Sequence, residues 1–172
     1  MKTFDLQAYA AKARETVAEG SVLLRNQDNV LPFPKDSRVA VFGRSQFNYY
    51  KSGTGSGGLV NTAHVPTITE ALEASGRVQV DKELKAVYEA WLQDHPFDMG
   101  QGWAAEPWYQ EEMPLDTALA EKLSGQNDAA LIILGRTAGE DKDNSAAEGS
   151  YLLAGAERQV LETVCRAFSK VA

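Results

Sequence analysis

The first segment places Leu6, Tyr9, Ala10, Ala13 and Val17 at helical spacing with charged residues between them, and Asp5 stands ahead of them as an N-cap. A helix is predicted from Asp5 into "GSVLLRN". The stretch "NQDNVLPFPKDS" is broken by Asn, Asp and two prolines, so it reads as a connector to "RVAVFG", a short buried strand ending on Gly43. Pro66 marks the start of a helix through "TITEALEAS" that stops at Gly76, and "RVQVD" is a second strand. In "KELKAVYEAWLQDH" the residues Leu84, Val87, Tyr88, Trp91 and Leu92 share one side of a helix that Pro96 terminates. Residues 96–114 are irregular. They carry Trp103 and Trp108, which either line a carbohydrate or cover a core edge, the commoner use of tryptophan in a small domain. "LDTALAEKLSGQ" is a short helix, "DAALIILG" the strongest strand, and "AGAERQVLETVCRAFSK" a closing helix with Val160, Leu161, Val164, Cys165 and Phe168 on one face. That face makes Cys165 a core residue rather than a nucleophile.

Strands alternating with helices predict a parallel sheet covered on both faces, an α/β fold arranged as a three-layer α/β/α sandwich. A fourth strand is expected at "SKVA", after the last helix. No repeat, low-complexity tract or linker divides the chain, so residues 1–172 are expected to form one α/β sandwich domain, incomplete at its C-terminal side.

Composition narrows the function. The 172 residues are 44% hydrophobic and 24% charged, the balance of a globular domain with a real core. A net charge of -7 disfavours polyanionic partners, so neither nucleic acid nor an anionic membrane is expected. The single cysteine forbids an internal disulfide. No leader peptide or membrane span is visible, and a cytoplasmic location is expected.

The candidate chemistry lies in "YYKSGTGSGGLVN", residues 49–61. Gly53, Gly55 and Gly58 satisfy G-x-G-x-x-G, and Asp81 stands where a dinucleotide fold binds a ribose hydroxyl. The spacing argues against that reading. The fingerprint needs its glycines directly after the strand, and here the nine residues Arg44 to Ser52 intervene. No G-K-[ST] ending supplies the groups a triphosphate needs. A neutral sugar fits the residue types better, because Thr54 and Ser56 offer short hydroxyls, glycine lets backbone donors approach, and Lys51 can anchor the loop. From local composition alone, a glycine-rich turn with no ligand stands equal to it.

Taken with "ARETVAEGSVLLRNQDNVLPF", "RVAVFG", "LIILGRTAGEDKDN" and "YLLAGAERQVLETV", the loop resembles the second domain of family 3 glycoside hydrolases, the β-glucosidase family, over most of the chain and in order. The resemblance implies an α/β/α sandwich packed on a (β/α)8 barrel, with the active site between them. It implies a retaining mechanism with two carboxylates about 5 to 5.5 Å apart. The nucleophile would be a barrel aspartate, outside this segment. In one branch the acid/base glutamate directly follows the strand matching "LIILG", where this chain has Arg136, which cannot donate a proton at working pH. In the branch with the similar glycine loop it lies farther on, beyond Ala172. The resemblance therefore implies no catalytic residue here, an inactive isolated segment, and no cofactor or metal. Ser56 would contact the sugar, supported by Thr54 and Gly55. Independently, Arg136 and Glu140 in "GRTAGEDKDN" follow a strand's C-terminal end, where ligands of open α/β sheets bind, so Arg136, Glu140 or Asp141 is expected at the rim of the site or the domain interface.

"EDKDN" lacks the ligand series of a calcium loop and leaves Asp143 as a solvated acid. His64 and His95 have no second His or Cys at ligand spacing. Met1 immediately before the first helix suits a parent with this domain first and the barrel later, and a segment cut from the usual order suits it equally. A stand-alone carbohydrate-binding module and a dinucleotide-binding domain remain the alternatives.

Overall fold

The computed structural model describes residues 5–48, 55–57, 61–62, 64–137, 140 and 143–172. The chain forms two compact units, Met1–Leu31 and Pro32–Ala172.

In the first unit, helix α1 spans Leu6–Gly20, and the Asp5 carboxylate accepts from the backbone N–H groups of Gln7 and Ala8. It reaches only the first residue of "GSVLLRN". Ser21 turns extended and its hydroxyl donates to the Val17 carbonyl, occupying an acceptor that the next turn would have used. Farther on, the Asn26 amide donates to the Leu31 carbonyl at 2.7 Å and its oxygen accepts from the Leu31 N–H at 3.0 Å. This clasp closes a turn in which Asp28 and Asn29 take left-handed backbone, a conformation their short polar side chains tolerate.

The second unit is built on three parallel strands in the order β2-β1-β3: β1 Ser37–Phe42, β2 Val78–Val80 and β3 Ala129–Ile132. Val39 pairs with Val80 on one side and Ala129 on the other, and Phe42 pairs with Ile132. Because side chains alternate along a strand, each face needs its own cover. Ala40, Phe42, Ala130 and Ile132 pack against α3 (Lys82–Asp94), α4 (Thr117–Ser124) and α5 (Gly155–Ala167) through Leu84, Tyr88, Ala120, Leu123, Val160 and Val164. Phe42 meets Phe168 edge to face, with ring centroids 5.7 Å apart. On the opposite face Val39, Val41, Val80 and Leu131 pack with Phe33 and with Leu72 of α2, Ile68–Ser75. The sheet therefore has helices on both sides, as the alternation predicts.

Local chemistry fixes the helix ends. Thr67 and Glu70 form a reciprocal capping box at α2, one residue past Pro66. Asp81 caps α3 by accepting from Leu84 N–H. After α5 the chain returns to the sheet, where Val171 bridges Ala130 in parallel and Ala172 exchanges hydrogen bonds with Ala130 and Ile132. Strand pairing thus occurs where a fourth strand is expected.

One expectation is corrected. Cys165 is exposed. The buried face of α5 runs through Glu157, Val160, Thr163 and Val164, and one further residue turns the helix by about 100°, carrying Cys165 off that face. Among the described residues no helix is long and apolar enough to cross a membrane.

Candidate functional site

Parallel strands deliver their C-terminal ends to one edge of the sheet, the usual ligand edge of an open α/β domain. Two loops leave that edge, one after β1 and one after β3.

The loop after β1 begins in a buried polar cluster. The Gly43 N–H donates to the Tyr88 hydroxyl at 2.8 Å. The next N–H, that of Arg44, donates to the Glu112 carboxylate at 3.0 Å, and Met113 N–H donates to the same carboxylate. Arg44 is only 2% exposed. Its guanidinium donates to the carbonyls of Glu111 and His95 and to the Asn48 side chain, and it lies 5.3 Å from the centroid of the Trp91 ring. Gln46 donates to the Val41 and Gly43 carbonyls and accepts from the Thr69 hydroxyl. Burial pushes the Glu112 carboxyl up from its ordinary value against these N–H donors, and burial pushes the Tyr88 hydroxyl well up. Such a cluster is tolerated in a core because its members satisfy one another, and it fixes the first turn of the loop.

The loop after β3 has its own anchor. Arg136 donates through Nη1 and Nη2 to the two oxygens of Glu157 at 2.5 and 2.6 Å and through Nε to the Ser150 carbonyl at 2.9 Å. Thr137 N–H donates to the Trp108 carbonyl at 2.8 Å, which ties the irregular segment between α3 and α4 to the same edge.

Among the described residues, the two loops meet at Ser56 and Glu140. Glu140 Oε2 accepts from the Ser56 hydroxyl at 2.8 Å and from the Ser56 N–H at 3.1 Å. The Ser56 N–H, then its hydroxyl, hold the Glu140 carboxyl below the ordinary glutamate value. Gly55, at φ +77, makes room for this contact: a Cβ there would fall 2.6 Å from the Glu140 Cβ. A hydroxyl and an exposed carboxylate are thus juxtaposed at the ligand edge, the pairing needed to hold a polyol and move a proton.

Of the residues singled out from sequence, Gly55, Ser56 and Glu140 come together here. Arg136 is half-buried and directed to Glu157. Lys51, Thr54 and Asp141 lie outside the described residues. Asp81, the residue offered for a ribose, is buried, caps α3 and accepts from Asn127, so its oxygens are engaged in the fold. His95 stacks on Trp91 and His64 lies 3.4 Å from Glu70. Asp143 is exposed. Trp103 is exposed, whereas Trp108 is half-buried. The pattern reading missed Glu112, Gln46 and Glu157, and it placed Tyr88 on the inner helix face without its polar role. Only Glu157 carried a local signal, three residues after the α5 N-cap, where its carboxylate accepts from Ala154 N–H.

Comparison with known proteins gives a consistent result. The model of the Glycosyl hydrolase family 3 C-terminal domain matches residues 21–172. A β-glucosidase of Ruminococcus albus is 49% identical over 171 residues, covering 99% of this chain and 18% of the relative. The crystal structure of a β-glucosidase from Paenibacillus barengoltzii superposes with a TM-score of 0.93 at 48% identity, over 99% of this chain and 18% of that one. β-Glucosidase 3B of Thermotoga neapolitana, solved in complex with α-D-glucose, gives 0.82 at 32% identity over 95% of this chain and 23% of its own. The chain spans less than a quarter of the length of each of these proteins.

Proposed function

The chain belongs to glycosyl hydrolase family 3 as its C-terminal domain, and from that premise we propose that it supplies one wall of a β-glucosidase active site whose other wall is a (β/α)8 barrel. The Ser56–Glu140 contact carries this reading. In a retaining glycosidase, a carboxylic acid gives its proton to the glycosidic oxygen as the C–O bond breaks, while a second carboxylate forms a C–O bond to the anomeric carbon. Water then displaces the sugar from that ester, and the first carboxylate takes the water's proton. Glu140 is the carboxylate this domain brings to the site, in the acid/base position; the nucleophile comes from the barrel. On this reading the acid/base is Glu140, whereas the sequence resemblance implies one beyond Ala172. Ser56 holds a hydroxyl of the sugar and orients Glu140. Alone, the segment has one carboxylate of the required two and turns over no substrate.

The test is Ser56→Ala in the full-length polypeptide, assayed on an aryl β-glucoside. Loss of a hydroxyl contact worth about 1.4 kcal/mol should lower kcat/KM about tenfold. The pH profile gives an independent reading. Ser56 stabilises the ionised form of Glu140, so removing its hydroxyl raises the Glu140 pKa, and the acid stays protonated to higher pH. Because kcat/KM reports ionisations of the free enzyme, its alkaline limb should move upward. An unmoved limb with unchanged kcat/KM would remove both residues from the site.

A further inference from the structure

We propose that the Arg136–Glu157 pair is a positioning device for Glu140, an inference that rests on the acid/base reading above. Both strands that feed the site run into the dipeptide Gly-Arg, in "VFGR" at residues 41–44 and "ILGR" at residues 133–136. Each arginine is anchored to the domain body: Arg44 to the segment around Glu111 and Glu112, Arg136 to the first turn of α5. From Arg44 the chain leads to Ser56, and from Arg136 it leads to Glu140. Each of these two loops thus starts from an arginine anchored in the domain body.

At Arg136 the anchoring is bidentate. A fork-to-fork guanidinium–carboxylate pair fixes two hydrogen bonds in one plane. Here the carboxylate also accepts from Ala154 N–H at 2.8 Å, and the guanidinium reaches the Ser150 carbonyl and lies 5.7 Å from the Tyr109 ring centroid. Glu157 is 4% exposed at its side chain, so water competes little for the pair. Glu140 itself is exposed, and it follows Arg136 by four residues. Its direction is therefore set by the fixed base of its loop and by Ser56 at its tip.

Lysine keeps the charge at 136 but has no planar fork, so Arg136→Lys in the full-length polypeptide loosens the base while leaving Glu140 present. The effect to read is leaving-group dependence. Protonation matters for a poor leaving group and hardly at all for a dinitrophenolate. Misplacement of a catalytic acid costs up to about 100-fold, so kcat/KM for an alkyl β-glucoside should fall about 30-fold and that for dinitrophenyl β-glucoside less than about 3-fold. Glu157→Gln, which keeps an acceptor for Ala154 N–H, should shift the same ratio in the same direction, and it decides the matter if Arg136→Lys fails to fold. Equal losses on both substrates, or none on either, would overturn the positioning role. The Glu140→Gln variant, run alongside, separates the two levels. If it too lacks leaving-group dependence, the acid/base reading fails; if it alone shows it, only the positioning inference does.

Discussion

Glu140→Gln in the full-length polypeptide should lower kcat/KM for an alkyl β-glucoside by about 10²–10⁴, the range that general acid catalysis supplies. The amide fits the same space and accepts from Ser56 through its oxygen, so sugar contacts and fold persist while the transferable proton is lost. On dinitrophenyl β-glucoside the first step needs little acid assistance and proceeds. The second step then lacks its base, the glucosyl-enzyme accumulates, and a burst of dinitrophenolate precedes slow turnover. Azide, a nucleophile that needs no deprotonation, should restore turnover and yield the glucosyl azide. A variant whose losses are alike for both leaving groups, with no burst and no azide rescue, would place the acid elsewhere. The direction of the pKa bears on this. In this chain Ser56 favours the ionised carboxylate, whereas an acid at neutral pH needs to be protonated. The reading therefore requires that the barrel, on closing over the edge, strips water from Glu140 and pushes its pKa up, as burial does to Glu112 inside this domain.

The architecture was readable in the chain because it rests on periodicity. Valines and alanines in "RVAVFG" and "DAALIILG" give strands that bury both faces, and their alternation with helices gives the parallel pairing. The exception on α5 shows the limit of such reading: Val164 and Cys165 are neighbours in sequence and equally apolar, yet one turns inward and the other outward. The site was legible only in halves. Local composition nominates Ser56 and the strand-end rule nominates Glu140, but no local pattern pairs residues 84 positions apart. The buried polar cluster was less accessible still. Glu112 in "YQEEMP" reads as a surface acid, and only the arrival of two backbone N–H groups and the Tyr88 hydroxyl makes its burial tolerable.

Gly43→Ala should unfold this sheet edge, with a cost of at least about 3 kcal/mol and a melting temperature lower by about 6–12 °C or more. Gly43 sits at φ +97 and ψ 128, a region that side chains rarely enter. Space is the larger obstacle: a Cβ there would lie 2.0 Å from the Ile133 carbonyl oxygen and 3.0 Å from its carbon. Both are backbone atoms of the residue that follows β3, beside the Ile133 N–H to Phe42 carbonyl hydrogen bond of 2.9 Å that closes the β1–β3 ladder. Relief would require the two strands to part where the loops toward Ser56 and Glu140 depart, and would withdraw the Gly43 N–H from Tyr88. Gly76 separates conformational strain from collision. It also has positive φ, +60, at the end of α2, but nothing lies within 4 Å of its missing Cβ. Gly76→Ala should therefore cost only the left-handed penalty of about 1–2 kcal/mol. Thermal unfolding of both variants followed by circular dichroism measures the difference, and equal melting temperatures would show that Gly43 is not wedged against β3.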